Sequence, residues 1–130
     1  MKIKLEKRVK LIRMVLFELG RISSHMLWTG YMMHEIGYDT LFQYFWRERE
    51  KILDLSEKIC GNRVHNNICK IGSLRYDMTK EDEELVLKNV DSVEHELKKY
   101  LAEIKGNNVI KSRLKNVGVI PKQTAKKWSL

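Results

Sequence analysis

The chain has 130 residues, with 25 Lys or Arg and 17 Asp or Glu, and its formal net charge is +8. This length allows one domain with one hydrophobic core, and the sequence contains no internal repeat. A single Pro and seven Gly favour a mainly helical protein. The N-terminus alternates charged with apolar residues, a pattern that predicts no secretory signal peptide.

The positive charge lies mainly near the two ends of the chain, without a stripe of Arg and Lys interleaved with aromatics. We therefore predict no nucleic-acid partner and interpret the charge as a solvated basic surface. Cys60 and Cys69 form no C-x-x-C pair, and a metal site would need further ligands. They are interpreted as reduced thiols of a cytoplasmic protein, and no bound metal is predicted.

Residues 5–36 are predicted to form one long helix with apolar side chains on nearly every face. Such a helix is either the centre of a bundle or a membrane span. Ionisable side chains, which are costly in lipid, interrupt the apolar run at Arg13, Glu18, Arg21 and His25. The pattern therefore predicts a central helix that other helices surround.

A second helix is predicted over residues 41–60, after a turn at residues 37–40. Asp39 or Thr40 is the expected N-cap of this helix. Gly61, followed by asparagine, is a typical C-terminal stop signal.

The second helix carries four consecutive charges, Arg47 to Glu50, directly after a group of aromatic residues. On a helical wheel, Arg47 and Glu50 lie opposite the apolar arc, whereas Glu48 and Arg49 lie within it. Half of the charge run is therefore predicted to be solvated. The other half points into packed protein, where a charged group needs partners.

Residues 62–78 look irregular, with a possible short strand at residues 68–71. Thr79 is predicted to cap a third helix, with Asp82 completing an imperfect capping box. This helix should end at Gly106, and its apolar residues form a single stripe. The stripe consists of Leu85 or Val86, Val90, Val93, Leu97, Tyr100 or Leu101, and Ile104.

The tail should contain a short helix at residues 109–114 and a last turn beginning at Pro121. The predicted fold is a single, mainly all-α domain over residues 1–130, in which the long central helix packs with two further long helices. Two helices cannot surround the first one. The chain is therefore expected either to self-associate or to be part of something larger.

Four phrases of the sequence resemble one known family. They are ELGRISSHMLWTG (residues 18–30), FWREREKILDLSEKICGNRV (45–64), KIGSLRYDM (70–78) and NVGVIP (116–121). Similar phrases, in the same order and spacing, occur in the large subunits of membrane-associated [NiFe] hydrogenases and in the D-type subunits of respiratory complex I. The sequence around residues 61–72 favours energy-converting and formate-hydrogenlyase-type hydrogenases.

The resemblance implies the central helical portion of such a large subunit, as a natural or an expressed fragment. The family's hydrogenases hold nickel and iron through an R-x-C-G-x-C and a C-x-x-C motif, and this chain has neither. Cys60 stands where the family has Thr. The parent complex would use a Ni–Fe centre or a quinone with an iron–sulfur small subunit, at the cytoplasmic face of the membrane. The chain alone is expected to be inactive, and whether it is itself an enzyme is left open.

Glu35 and His25 are the candidate cavity or proton-relay residues. The resemblance places Glu35 at an acidic position that lines the quinone cavity in complex I relatives. The alternatives are a helix-end Glu facing solvent and a satisfied core histidine.

The resemblance also implies a set of structural ion pairs, with a proton-relay role as the alternative. The set consists of Glu18, Arg21, Glu48, Arg49 and Arg75. The first four are expected to pair between the first and second helices.

An incompletely covered first helix predicts a homodimer in isolation. The rival interpretation is a stand-alone helical interaction module that descends from such a large subunit.

Overall fold

The computed structural model describes residues 4–65 and 67–129. Their elements are α1 (Lys7–Glu35), α2 (Asp39–Cys60), β1 (Cys69–Lys70), β2 (Ser73–Leu74), α3 (Lys80–Gly106), α4 (Asn108–Leu114) and α5 (Lys122–Lys127). This confirms the mainly all-α fold with three long helices. The predicted strand is one arm of a two-stranded antiparallel hairpin, in which Cys69 pairs with Leu74.

A tight turn joins α1 to α2, and these two helices make the most extensive contact between elements. Gly37 adopts a φ of 76° in the turn, and its N–H donates to the carbonyl of His34. The predicted N-cap of α2 is wrong, because Tyr38 occupies that position without a side-chain cap. Asp39 instead pairs with His34, whose Nδ1 lies 2.6 Å from Oδ1 of Asp39.

The contact between α1 and α2 is closest at Gly30, which is buried in α1. A Cβ atom at this position would lie 3.1 Å from Cδ1 of Trp46 and 3.2 Å from Cβ of Phe45. The absence of a side chain therefore lets α2 approach the backbone of α1. The surrounding core contains Leu16, Leu19, Met26, Met33, Leu41, Phe45, Ile52, Leu55 and Ile59.

The helix α3 packs against α2 through the predicted stripe, of which Val93 and Tyr100 are buried. The capping box is present, since Thr79 Oγ1 accepts from the N–H of Asp82 and the Asp82 carboxylate accepts from the N–H of Thr79. The predicted end of α3 at Gly106 and the two short tail helices are confirmed.

Two arginines of α1 fix the segment between α2 and α3. Arg13 Nη2 donates to the carbonyl of Ser73 at 2.7 Å, which holds the hairpin against α1. Arg8 pairs with Asp77 and Glu83 and also donates to the carbonyl of Met78. Both arginines therefore connect α1 to residues that are distant in the sequence.

The helix α1 is surrounded on one side only. Its uncovered side is defined here as the outer face and consists of Met14, Phe17, Arg21, Trp28, Tyr31 and Glu35, all exposed. Phe17 is 66% exposed and Trp28 is 63% exposed. Within residues 4–65 and 67–129, no helix has both the length and the hydropathy needed to cross a membrane.

We predict that Gly30→Ala destabilises the protein by about 1 kcal/mol, because the new methyl group overpacks the contact with α2. The gain in helix propensity offsets only part of this cost. Gly106→Ala is the matched control, since a Cβ there meets nothing within 4 Å. Urea unfolding of both variants measures the difference, and equal stabilities would contradict the close approach.

Candidate functional site

The carboxylate of Glu48 lies at the centre of a polar cluster inside the helical core. Glu48 is 0% exposed, although α2 carries it among apolar neighbours. Arg47 Nε donates to its Oε1 at 3.1 Å, and the Tyr100 hydroxyl lies 3.2 Å from the same oxygen. Lys51 Nζ forms an ion pair with Oε2 at 2.6 Å, a contact too poorly aligned to be a hydrogen bond. Two cations and one hydroxyl thus compensate one buried charge.

Tyr100 connects this cluster to α3. Its hydroxyl accepts from Arg47 Nη2 at 2.7 Å and donates to Glu48. The ring stacks on Tyr44 and meets Phe45 edge-on, each with centroids 5.5 Å apart. Burial is the main cause that raises the pKa of Tyr100, so the phenol remains a hydrogen-bond donor at neutral pH.

Arg49 lies beside this cluster but takes no part in it. It is half-buried, and its guanidinium carbon lies 5.8 Å from the centroid of the Trp46 ring. Its Nε atom is buried and has no hydrogen-bond partner among the described residues. The charge that the helical wheel placed against the core is therefore not neutralised by a carboxylate of this part of the chain.

The remaining predicted ion-pair residues lie on the surface. Glu18 and Arg21 pair with each other within α1, at 2.7 Å. This differs from the predicted pairing between helices, because both side chains lie away from the contact with α2. Arg75 is exposed, and within residues 4–65 and 67–129 it has no ion pair. Glu50 also lies on the surface, where Arg63 binds it together with Asp54.

The two candidate relay residues are both solvent-facing in this chain. Glu35 is the last residue of α1 and lies on its outer face. His25 is exposed beside Trp28, so the alternative of a core histidine is wrong for the described structure. Neither contacts the cluster around Glu48.

Cys60 is not an activated nucleophile. Burial raises the pKa of the Cys60 thiol to about 11, with Cys69 adding a smaller effect, so Cys60 is protonated at neutral pH. Cys69 is exposed on the hairpin. Among the described residues, no three His, Cys, Asp or Glu side chains are grouped in a way that would hold a metal ion.

Sequence reasoning missed the three partners of Glu48. Arg47 is exposed, as predicted, and its Nε still donates to Glu48, while a spacing of three residues brings Lys51 beside Glu48 on the helix. That spacing was the available signal. Tyr100 is 52 residues away in the sequence, and no local pattern indicates its contact.

Comparison of the sequence with known proteins identifies its family. Residues 35–130 match the model of the respiratory-chain NADH dehydrogenase, 49 Kd subunit. This chain belongs to that family. The chain is also similar to curated D subunits of NADH-quinone oxidoreductase. With that of Campylobacter jejuni it shares 37% identity over 97% of this chain, and with that of Campylobacter curvus 40% over 95%.

A relative from a third organism gives the same result. The NADH-quinone oxidoreductase D subunit of Clostridium beijerinckii is 34% identical over 98% of this chain. In these comparisons the chain spans about a third of the relatives' length, from 30% in C. curvus to 35% in C. beijerinckii. The family assignment therefore covers nearly all of this chain and a minor part of each relative. Their names identify the relatives as subunits of an oxidoreductase of NADH and quinone.

We predict that Glu48→Ala lowers the free energy of unfolding by about 3 kcal/mol, because it removes the buried acceptor of the cluster and leaves a cavity. Glu50→Ala is the matched control on the same helix and should cost less than about 1 kcal/mol, as an exposed ion pair does. Denaturant unfolding measures both. Equal losses would mean that the whole charge run is solvated.

Proposed function

We propose that this chain is the helical core portion of a D-type large subunit and that it is inactive alone. The observation that carries the proposal is the alignment of 97% of the chain with about a third of a D-type relative. The chain would supply a scaffold within an electron-transfer complex whose redox centres lie elsewhere. The printed names of the relatives, D subunits of NADH-quinone oxidoreductase, favour the quinone-reducing parent.

The outer face of α1 supports the proposal, because it exposes three aromatic side chains. Phe17, Trp28 and Tyr31 are exposed along one side of the helix. Phe17 and Trp28 are eleven residues apart, and Trp28 and Tyr31 are three residues apart. Large apolar side chains that are exposed together on one helix face favour a surface that contacts further polypeptide. In the proposed parent, other segments of the large subunit cover it, and an iron–sulfur small subunit assembles with the whole at the cytoplasmic face of the membrane.

Glu35 has a chemical role in this proposal and not merely a structural one. It ends the outer face of α1, one turn beyond Tyr31, with His25 on an adjacent part of the same exposed side. When other segments cover the outer face, the carboxylate lies at the edge of an enclosed space. There it would pass a proton towards a bound quinone, as the family resemblance implies.

A chimaeric large subunit tests this function. We expect a bacterial NADH-quinone oxidoreductase to assemble when this chain replaces the corresponding segment of its D-type subunit, because the helical core is equivalent. In the chimaera, Glu35→Gln should lower quinone-dependent NADH oxidation at least fivefold without reducing assembly on native gels. Glu81→Gln changes an exposed carboxylate on α3 and is the control.

Failure of the chimaera to assemble would contradict the scaffold function. Assembly with full activity in the Glu35→Gln variant would contradict the role of Glu35 alone. If the D-type chimaera fails but the same exchange in the large subunit of a nickel–iron hydrogenase gives an assembled enzyme, the chain belongs to the hydrogenase branch of the family resemblance.

In isolation, the chain should be a homodimer, because a second copy can bury the outer face through a two-fold contact. Light scattering at micromolar concentration should return twice the monomer mass. The double substitution Phe17→Glu and Trp28→Lys should return the monomer mass. Val64→Glu, at an equally exposed position outside the outer face, should leave the dimer intact.

A monomeric native chain with cooperative unfolding would contradict the dimer and would favour the rival function, a stand-alone interaction module. The exposed outer face is the observation that supports that rival. Such a module should fold as a monomer and should not replace the segment in the chimaera.

A further inference from the structure

A hollow of about 200 Å³ lies between α1, α2 and the loop that follows α2. One wall carries Ser23 and Ser24 of α1, and the facing wall carries Arg49 and Ser56 of α2. The lining also contains the apolar side chains of Leu27, Leu53 and Val64, together with Gly20 and Arg63. A few polar groups among apolar ones are the usual composition of a small-ligand site.

Arg49 brings an unneutralised positive charge to this hollow. Its Nε atom is buried and lacks a partner within the described part of the chain, and none of the ion pairs there includes its guanidinium. The Trp46 ring orients the guanidinium plane but supplies no negative charge. An anion is a favourable partner for a half-buried, unpaired cation, because a charge partly removed from water is costly unless it is paired.

The second cation of the lining, Arg63, is already satisfied. Its guanidinium binds the carboxylates of Glu50, Asp54 and Glu57, which lie on the exposed side of α2. An anion entering the hollow therefore meets Arg49 as its counter-charge. One guanidinium neutralises one negative charge, which disfavours phosphate dianions.

We propose that this hollow binds a single carboxylate on a short aliphatic stem, held by Arg49. The planar guanidinium fork matches a carboxylate through two parallel hydrogen bonds. The hydroxyls of Ser23 and Ser24 stand on the facing wall as further donors, and the apolar lining receives the stem. The carboxylate comes either from a free short-chain acid or from a Glu side chain of a neighbouring polypeptide. This inference does not depend on the proposed function.

The test is a titration of the full chain in which the ¹⁵N–¹H resonance of Arg49 Nε is monitored. Sodium propionate should shift this resonance saturably, whereas sodium chloride at the same ionic strength should not. Ser24→Leu fills the mouth of the hollow from an exposed position and leaves Arg49 in place, so it should weaken propionate binding at least tenfold. Arg75→Met removes an exposed arginine outside the hollow and should leave binding unchanged.

A capped glutamate, N-acetylglutamate amide, distinguishes the two sources of the carboxylate. Tighter binding than propionate assigns the site to a polypeptide side chain, and weaker or equal binding assigns it to a free acid. Equal shifts with propionate and chloride, or native affinity in Ser24→Leu, would overturn the proposal. Arg49→Met removes the proposed counter-charge and should abolish propionate binding, and the Ser24→Leu variant keeps the test decisive even where Arg49→Met unfolds the chain.

Discussion

The carboxylate of Glu48 is the constraint on which the packing of α3 against α2 depends. A charge removed from water is costly unless it is paired and hydrogen-bonded. In this chain the compensation comes from two directions. Arg47 and Lys51 of the same helix form ion pairs with the carboxylate, and the Tyr100 hydroxyl of α3 donates a hydrogen bond to it. Because that hydroxyl can meet the carboxylate in only one register, the cluster fixes where α3 lies along α2.

The same arrangement explains why other helices cover one side of α1 and leave its outer face exposed. The Glu48 cluster and the close approach at Gly30 place α2 and then α3 on one side of α1. The outer face of α1 stays uncovered, and Arg49, at the edge of the α1–α2 contact, finds no carboxylate among the described residues. Both features are costly in an isolated monomer and favourable where further polypeptide or a ligand is added. The geometry thus accords with the similarity to a minor part of a much longer protein.

Much of this fold could be predicted from local sequence patterns. The capping box at Thr79 and the stop at Gly61, which has a φ of 70°, depend on a few neighbouring residues. The helical wheel likewise placed Glu48 against the core. Its partner Tyr100 could not be predicted, because a contact across 52 residues depends on how helices pack. For the same reason the exposure of His25 was missed, since an apolar pattern cannot tell which side of a helix this chain covers.

A double-mutant cycle between Glu48→Ala and Tyr100→Phe tests the central claim most directly, because each substitution removes one partner of the contact that joins α2 to α3. Each variant and the double variant are unfolded in urea, and the coupling free energy is obtained from the four stabilities. The account predicts a coupling of about 1 kcal/mol or more, as expected for a buried hydrogen bond to a charged group. Additive effects, with a coupling near zero, would contradict the claim that the buried carboxylate determines the position of α3.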